Sequence, residues 1–403
     1  MPHPHSGHGS HQPIVRTIKH DITKKPFMVI WEVTRACQLV CKHCRAEAQH
    51  HPSRLQLSHE EGINLLDQLA SYDKPRPMVV FTGGDCFERE DLVELVRYGT
   101  ERGLHVSISP SVTPLFTKER LIALREAGGK AMSVSLDGAS AETHDAFRGF
   151  AGTFEKTVEA TKIINEVGFR LQINTTLTKG NIHEAPQMLK NAIDLNAFMW
   201  YTFMLVPTGR GAHLQMLTPA EREDVMHWQH DVSDRIAIKT TEAPQYRRIA
   251  IQRADAADAG VAPKELANPS QRGELYHWLC AETVRIMGDH APNPRPPRPP
   301  MAINSGSGFA FVDHEGYVYP SGFLPIKVGN IRQRSFDQLY RETKVMQDLR
   351  TPSRFGGKCG VCGFNAICGG SRSTAYAMTG DYLAADPNCV YIPPNWQGEV
   401  PAN

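Results

Sequence analysis

No stretch of this 403-residue chain is apolar for long enough to cross a bilayer as a helix, and the polar, His-rich N-terminus is not that of a signal peptide. An excess of charge of one sign is missing too. Lys and Arg number 44 against 43 Asp and Glu, a formal net charge of +1, so no global field draws the chain to nucleic acid or a membrane surface. A disulfide framework is a poor fit. The nine cysteines are odd in number, and seven of them fall into two tight clusters. That pattern suits metal ligation in a reducing cytosol, so a cytoplasmic location is expected. The length allows a sizeable core and two domains.

The first cluster organises the rest. Cys37, Cys41 and Cys44 lie within Thr34-Arg35-Ala36-Cys37 and Cys41-Lys42-His43-Cys44-Arg45. A structural zinc site takes four protein ligands, and an iron–sulfur cube prefers four thiolates. Three thiolates leave one iron free to bind a ligand. On this run alone, zinc keeps a substantial share. Just upstream, Phe27 to Val33 is a short apolar run that reads as a buried strand. The cysteines therefore sit on the loop leaving a first strand, at the end where barrels of strand–helix units carry their sites.

From Phe27 to about Pro207, apolar strands alternate with amphipathic helices, the rhythm of βα units on a parallel sheet. Further strands are predicted at 78–81, 105–109, 131–136, 171–177 and 200–206. Ser58 with Glu61, and Thr218 with Glu221, read as capping boxes; Gly103, Gly128 and Gly168 read as helix ends. Periodicity alone fits a six-unit partial barrel and a flavodoxin-like sheet equally. The expected divisions are a His-rich disordered tail over 1–25, a barrel over 26–215, a helical bridge and Pro-rich linker over 216–300, and a small α+β domain over 301–403. The tail holds His3, His5, His8, His11 and His20, for which loose metal or haem capture is the sharper alternative. Residues 291–300 carry six prolines and read as an extended linker, and 309–319 as a hairpin turning near Glu315-Gly316.

CxxxCxxC after a first strand resembles the radical S-adenosylmethionine (SAM) family. The resemblance implies a partial (β/α)6 barrel and a [4Fe–4S] cluster on Cys37, Cys41 and Cys44. It implies further that SAM's amino and carboxylate groups chelate the fourth iron. Reductive cleavage then yields methionine and a 5′-deoxyadenosyl radical, chemistry that belongs to the cofactor. His43 is read as packing beside the cluster. Gly83-Gly84-Asp85-Cys86 resembles the family's GGE-Pro motif, with Asp for Glu and Cys for Pro, so Asp85 is expected to hold SAM's amino group. Paired glycines also let backbone approach a ligand closely. Ser109, Ser111 and Ser135 stand where the family places polar contacts to SAM, although Ser109-Pro-Ser111 departs from its usual Asn-Gly. Arg148 fits a guanidinium near SAM's carboxylate, with an ion pair to Asp137 as the alternative. Asn174 and Leu205 lie where adenosine is usually contacted. Cys86 is expected to pack rather than ligate.

The second cluster comprises Cys359, Cys362, Cys368 and Cys389. Its first pair alone would suit zinc. The whole pattern, CxxC-x5-CGGSR with a distant cysteine, resembles the SPASM (twitch-like) extension of radical SAM enzymes. That implies one auxiliary [4Fe–4S] cluster closed by four thiolates. Ser321 and Ser371 stand where related chains carry further cysteines, so a second auxiliary cluster is not expected, and Cys280 is read as buried. The tail from Cys368 to Ala384 resembles the haem-synthase and haem d1 maturation branch. The activity implied is oxidative decarboxylation of porphyrin propionates. A maturase of a ribosomally made peptide is the alternative, and a zinc or redox sensor the non-enzymatic one. Expected partners are a tetrapyrrole or peptide substrate and a flavodoxin or ferredoxin reductant, with no nucleic acid and no membrane.

Overall fold

The structure, a computed structural model, describes residues 13–259 and 272–398. Seven parallel strands run in sequence order: β1 Met28–Glu32, β2 Met78–Thr82, β3 His105–Ile108, β4 Ala131–Ser135, β5 Arg170–Leu177, β6 Met199–Met204 and β7 Ala237–Thr241. Helices follow the strands. The first, His59–Ala70, starts on the Ser58–Glu61 capping box, and Pro219–Asp231 starts on Thr218–Glu221. Helix Thr153–Val167 stops at Gly168, whose φ of +86° only glycine adopts readily.

Alternation along the strands sorts the two faces. In β5, Leu171, Ile173, Thr175 and Leu177 are buried while Gln172, Asn174 and Thr176 are half-buried. The apolar face, with Trp31 and Phe81 fully buried, packs into the core under the helices. Each such side chain contributes about 1.5–3 kcal/mol. Parallel sheets are ordinarily apolar on both faces. Here the second face carries Ser109, Ser135, Asn174 and Thr176 toward a cavity.

Three expectations need correction. The bridge over 216–300 is not only helical, since β7 pairs with β6 from Met199↔Ala237 to Phe203↔Thr241 and makes a seventh parallel strand. It is an edge strand with a single large apolar residue, Ile238, so it carries little hydrophobic signal. The C-terminal part does not stand apart either. Strands β8 Asn304–Ser305, β9 Gly308–Val312, β10 Tyr317–Tyr319 and β11 Gly329–Asn330 extend the same sheet, with β9 parallel to β1 and antiparallel to β10. The predicted hairpin is thus the β9–β10 turn, with Gly316 at φ +84°. Lastly, residues 13–25 are folded rather than a free tail. Arg16 donates its backbone N–H to Pro300 O at 2.8 Å, Ile22 O accepts from the Tyr340 hydroxyl at 2.6 Å, and Lys25 pairs with Asp73 at 2.8 Å. His3, His5, His8 and His11 lie outside the described residues. The proline run has no helix or strand, as its missing N–H donors dictate.

Candidate active site

Cys37, Cys41 and Cys44 line one cavity at the C-terminal ends of the parallel strands. Gly83 and Gly84 reach it from β2, Ser109 and Ser111 from β3, Ser135 from β4, Asn174 from β5 and Leu205 from β6. Arg148 comes from the end of helix Ala141–Arg148. Of the residues predicted for this site, Asp85 alone is not in the lining.

The glycine pair has a local cause beyond ligand access. A Cβ on Gly83 would stand 2.8 Å from Thr34 O, and one on Gly84 would stand 2.5 Å from Ala36 O. The cysteine loop presses its backbone against β2's end, tied by Gly84 N–H to Thr34 O at 2.8 Å and Asp85 N–H to Ala36 O at 2.7 Å. Asp85 is then drawn under the cavity floor. It is fully buried, and its carboxylate accepts from the Thr113 hydroxyl at 2.7 Å and from the N–H groups of Phe87 and Ser111, each at 3.1 Å. Burial outweighs these donors and pushes its carboxyl up to about 6. Asp85 thus stands outside the cavity lining and holds Ser111, which is part of it.

Burial pushes the Cys37 thiol up to about 11 and raises Cys41 as well, with the Arg148 guanidinium pulling Cys41 the other way. A coordinating cation would deprotonate them outright. Leu39 N–H donates to the Cys37 sulfur at 3.4 Å, the Cys37 thiol donates to Ser111 Oγ at 3.8 Å, and the Ser111 hydroxyl donates to Gly84 O at 3.0 Å. His43 stacks on Phe147 with centroids 4.7 Å apart, and burial holds its imidazole down to about 4, so it is neutral packing. Arg148 lies 3.4 Å from Asp137, whose other oxygen accepts from Thr176 N–H at 2.8 Å.

Among the lining residues not predicted for this site are Arg45, Thr176, Phe203, Arg210 and Phe323. Arg45 pairs with Glu32 at 3.0 Å and lies 4.4 Å from the Phe311 ring centroid. The signal for Arg210 was available in its flanking glycines. Gly209 has φ +54°, and a Cβ there would meet the carbonyls of Cys44 and Arg45, both at 2.7 Å. Nothing local marks Phe323, which arrives from the segment after β10.

The second cysteine set also gathers. Cys359, Cys362, Cys368 and Cys389 line one small cavity with Arg248 and Lys358. Backbone N–H groups of Gly370 and Asp386 point at the sulfurs of Cys368 and Cys359, at 3.4 and 3.5 Å. Burial pushes Cys368 up to about 11 and Cys389 further. Among the described residues no group of three His, Cys, Asp or Glu side chains is gathered closely enough to hold a single metal ion. Ser371 is fully buried and donates to Glu242, which also accepts from Ser373 at 3.0 Å. Ser321 accepts from Phe323 N–H at 3.2 Å. Cys86 is wholly buried in the core, and Cys280 is half-buried against it. No described helix is long and apolar enough to cross a membrane.

The Radical SAM superfamily profile matches residues 31–192. The chain belongs to that superfamily: it is a radical SAM enzyme, a partial barrel whose sheet the C-terminal strands extend. Among its relatives is the AdoMet-dependent heme synthase of Methanosarcina barkeri, 36% identical over 92% of this chain and 98% of that protein. Another is the AdoMet-dependent heme synthase of Oleidesulfovibrio alaskensis, 37% identical over 91% of this chain and 87% of that one. Streptococcus suis SuiB, solved bound to S-adenosylmethionine, shares the fold at a TM-score of 0.64 and 13% identity, over 91% of this chain and 78% of that chain. The superfamily implies SAM and a [4Fe–4S] cluster. Three soft thiols in one cavity, beside glycines, serines and Asn174, fit that pair.

Proposed function

We propose that this enzyme converts propionate side chains of an iron porphyrin to vinyl groups by oxidative decarboxylation. The observation that carries the reading is a three-thiol cavity, lined by both polar and aromatic residues, in a chain more than a third identical to heme synthases along nearly its whole length. Cys37, Cys41 and Cys44 would hold a cluster with one open iron. When bound, that cluster and SAM supply a 5′-deoxyadenosyl radical. Gly83, Gly84, Ser109, Ser111 and Ser135 would hold SAM by backbone and hydroxyl groups, Arg148 would meet its carboxylate, and Asn174 and Leu205 its adenosine. Asp85 acts through Ser111.

In the reaction, one hydrogen atom leaves the propionate carbon next to the ring and ends on 5′-deoxyadenosine. The bond to the carboxylate then breaks, CO2 departs, one electron passes to a one-electron acceptor and the vinyl double bond forms. Cys359, Cys362, Cys368 and Cys389 would hold an auxiliary [4Fe–4S] cluster with no open iron. The polar network of Glu242, Ser371 and Ser373 occupies a place where a further ligand set would need thiols, which supports one auxiliary cluster rather than two. A flavodoxin or ferredoxin would supply the reducing electron.

The test is anaerobic incubation of cluster-reconstituted protein with SAM, dithionite and an iron porphyrin bearing propionates, read by mass spectrometry. Loss of CO2 and two hydrogens per propionate is expected. Cleaved SAM beside an unchanged porphyrin would overturn the tetrapyrrole reading and leave a peptide as the substrate class to try.

A further inference from the structure

The cavity's lining divides by element. The ends of β2 to β5 supply glycines, serines, threonines and Asn174, together with Asp137, whose carboxylate Arg148 pairs. β6, the loop after it and the segment after β10 supply Phe203, Arg210 and Phe323. The two rings lie 6.2 Å apart at 53°, and Tyr201 packs on Phe203 at 4.5 Å. Such a set offers flat, polarisable surface to a planar ring system.

Arg210 differs from the other guanidinium groups here. Arg45 has Glu32 at 3.0 Å, and Arg148 has Asp137 at 3.4 Å. No carboxylate among the described residues pairs with Arg210. Its Nε donates to Cys41 O at 3.0 Å, which fixes the plane of the group. Its Nη2 is buried and bonds nothing. A buried donor without an acceptor is costly, and an arriving carboxylate is the partner whose geometry matches the guanidinium fork.

We infer that Arg210 anchors a propionate carboxylate of the substrate, with the macrocycle against Phe203 and Phe323. This rests on the tetrapyrrole reading above and names the residue that recognises the substrate's charge. Arg210 is a binding and positioning residue. It holds one carboxylate still so that the reacting propionate faces the thiol side of the cavity.

The test is an anaerobic titration of the cluster-loaded full chain with SAM present, followed by the porphyrin's visible absorption. One probe is an iron porphyrin with free propionates, and the other is its methyl ester, which lacks the charge. Wild-type protein should bind the free acid about ten-fold more tightly than the ester. Arg210→Gln should weaken the acid to the level of the ester and leave the ester where it was. SAM affinity, measured separately, should stay at the wild-type value. Arg210→Lys, which keeps charge but not the fork, should recover part of the preference; it carries the test alone if the Gln variant fails to hold its clusters. An Arg210→Gln protein that still prefers the acid ten-fold would overturn the inference while leaving the tetrapyrrole reading intact. So would a variant whose SAM affinity falls while porphyrin binding does not. Wild-type protein that binds neither probe would bring down the tetrapyrrole reading, and this inference with it.

Discussion

Two cavities in this chain are lined by cysteine, and they are built differently. The first has three thiols on one loop, faced by glycines and serines from the ends of β2, β3 and β4 and by Arg45, Arg148 and Arg210. The second has four thiols drawn from residues 359–389, with Arg248, Lys358, two glycines and two aromatic rings beside them and no serine or threonine in its lining. Three thiolates leave a cube one exchangeable position; four close it. Polar groups around the first would recognise what binds at that position; under the proposed function, the second would only shield a closed cluster from water. A cavity's chemistry is thus readable from the count of its soft ligands together with the polarity of the rest of its wall.

The comparison can be broken at several strengths. Replacing Cys37, Cys41 and Cys44 together by Ala should abolish formation of 5′-deoxyadenosine, measured by chromatography of the anaerobic reaction. Persistent SAM cleavage would move the reactive cluster elsewhere. Alanine at Cys359 and Cys362 should halve an iron content of about eight per chain, by four irons to each cube. SAM binding should survive while porphyrin turnover falls. One zinc beside one cluster, found by metal analysis, would refute the second cube.

Within the first cavity the effect of Asp85 is smaller. Asp85→Ala removes an acceptor for Thr113, Ser111 and Phe87 and should cost about 2 kcal/mol in unfolding free energy, within the 1.5–3 kcal/mol of hydrogen bonds to charged groups. Asp85→Asn keeps part of the acceptor and should cost less in a thermal melt. If the Asn variant melts normally but loses SAM, Asp85 contacts SAM after all.

The smallest effect is on pH. His144 Nδ1 accepts from Asp137 N–H at 3.1 Å, and burial holds this imidazole down to about 4 from an ordinary 6.5. The unfolded chain therefore takes up the proton first as pH falls. Stability from His144 is present above about 6.5 and is lost as pH falls toward 4. His43 lines the first cavity, while the lining of the second holds no histidine. Hydrogen exchange near Asp137 should rise in that window ahead of exchange near Cys359, and His144→Gln should blunt the difference.

Much of this was legible before folding. Spacing announced both cysteine sets, and capping boxes and helix-ending glycines marked the elements between them. The misses share a cause. β7 is an edge strand with one large apolar residue, and its place comes from hydrogen bonds to β6, which no local pattern encodes. Residues 13–25 look like a tail because their partners, Pro300 and Tyr340, lie at the other end of the chain. Asp85 was singled out by residue type and offset, but its bonds to Thr113 and Ser111, made 28 and 26 positions away, were not legible.

By itself the sequence determined the kind of chemistry, because ligand number and softness are properties of residue type and short spacing. Only the tertiary structure decided which side chains complete the first cavity. Arg210 and Phe323 are brought there by a glycine that lets one loop cross the cysteine loop and by a strand, β9, that pairs with β1 from 281 positions away, as in Met28↔Phe309. Contacts of that range are made by packing and backbone pairing, whose energy depends on the whole fold and not on any local run of residues.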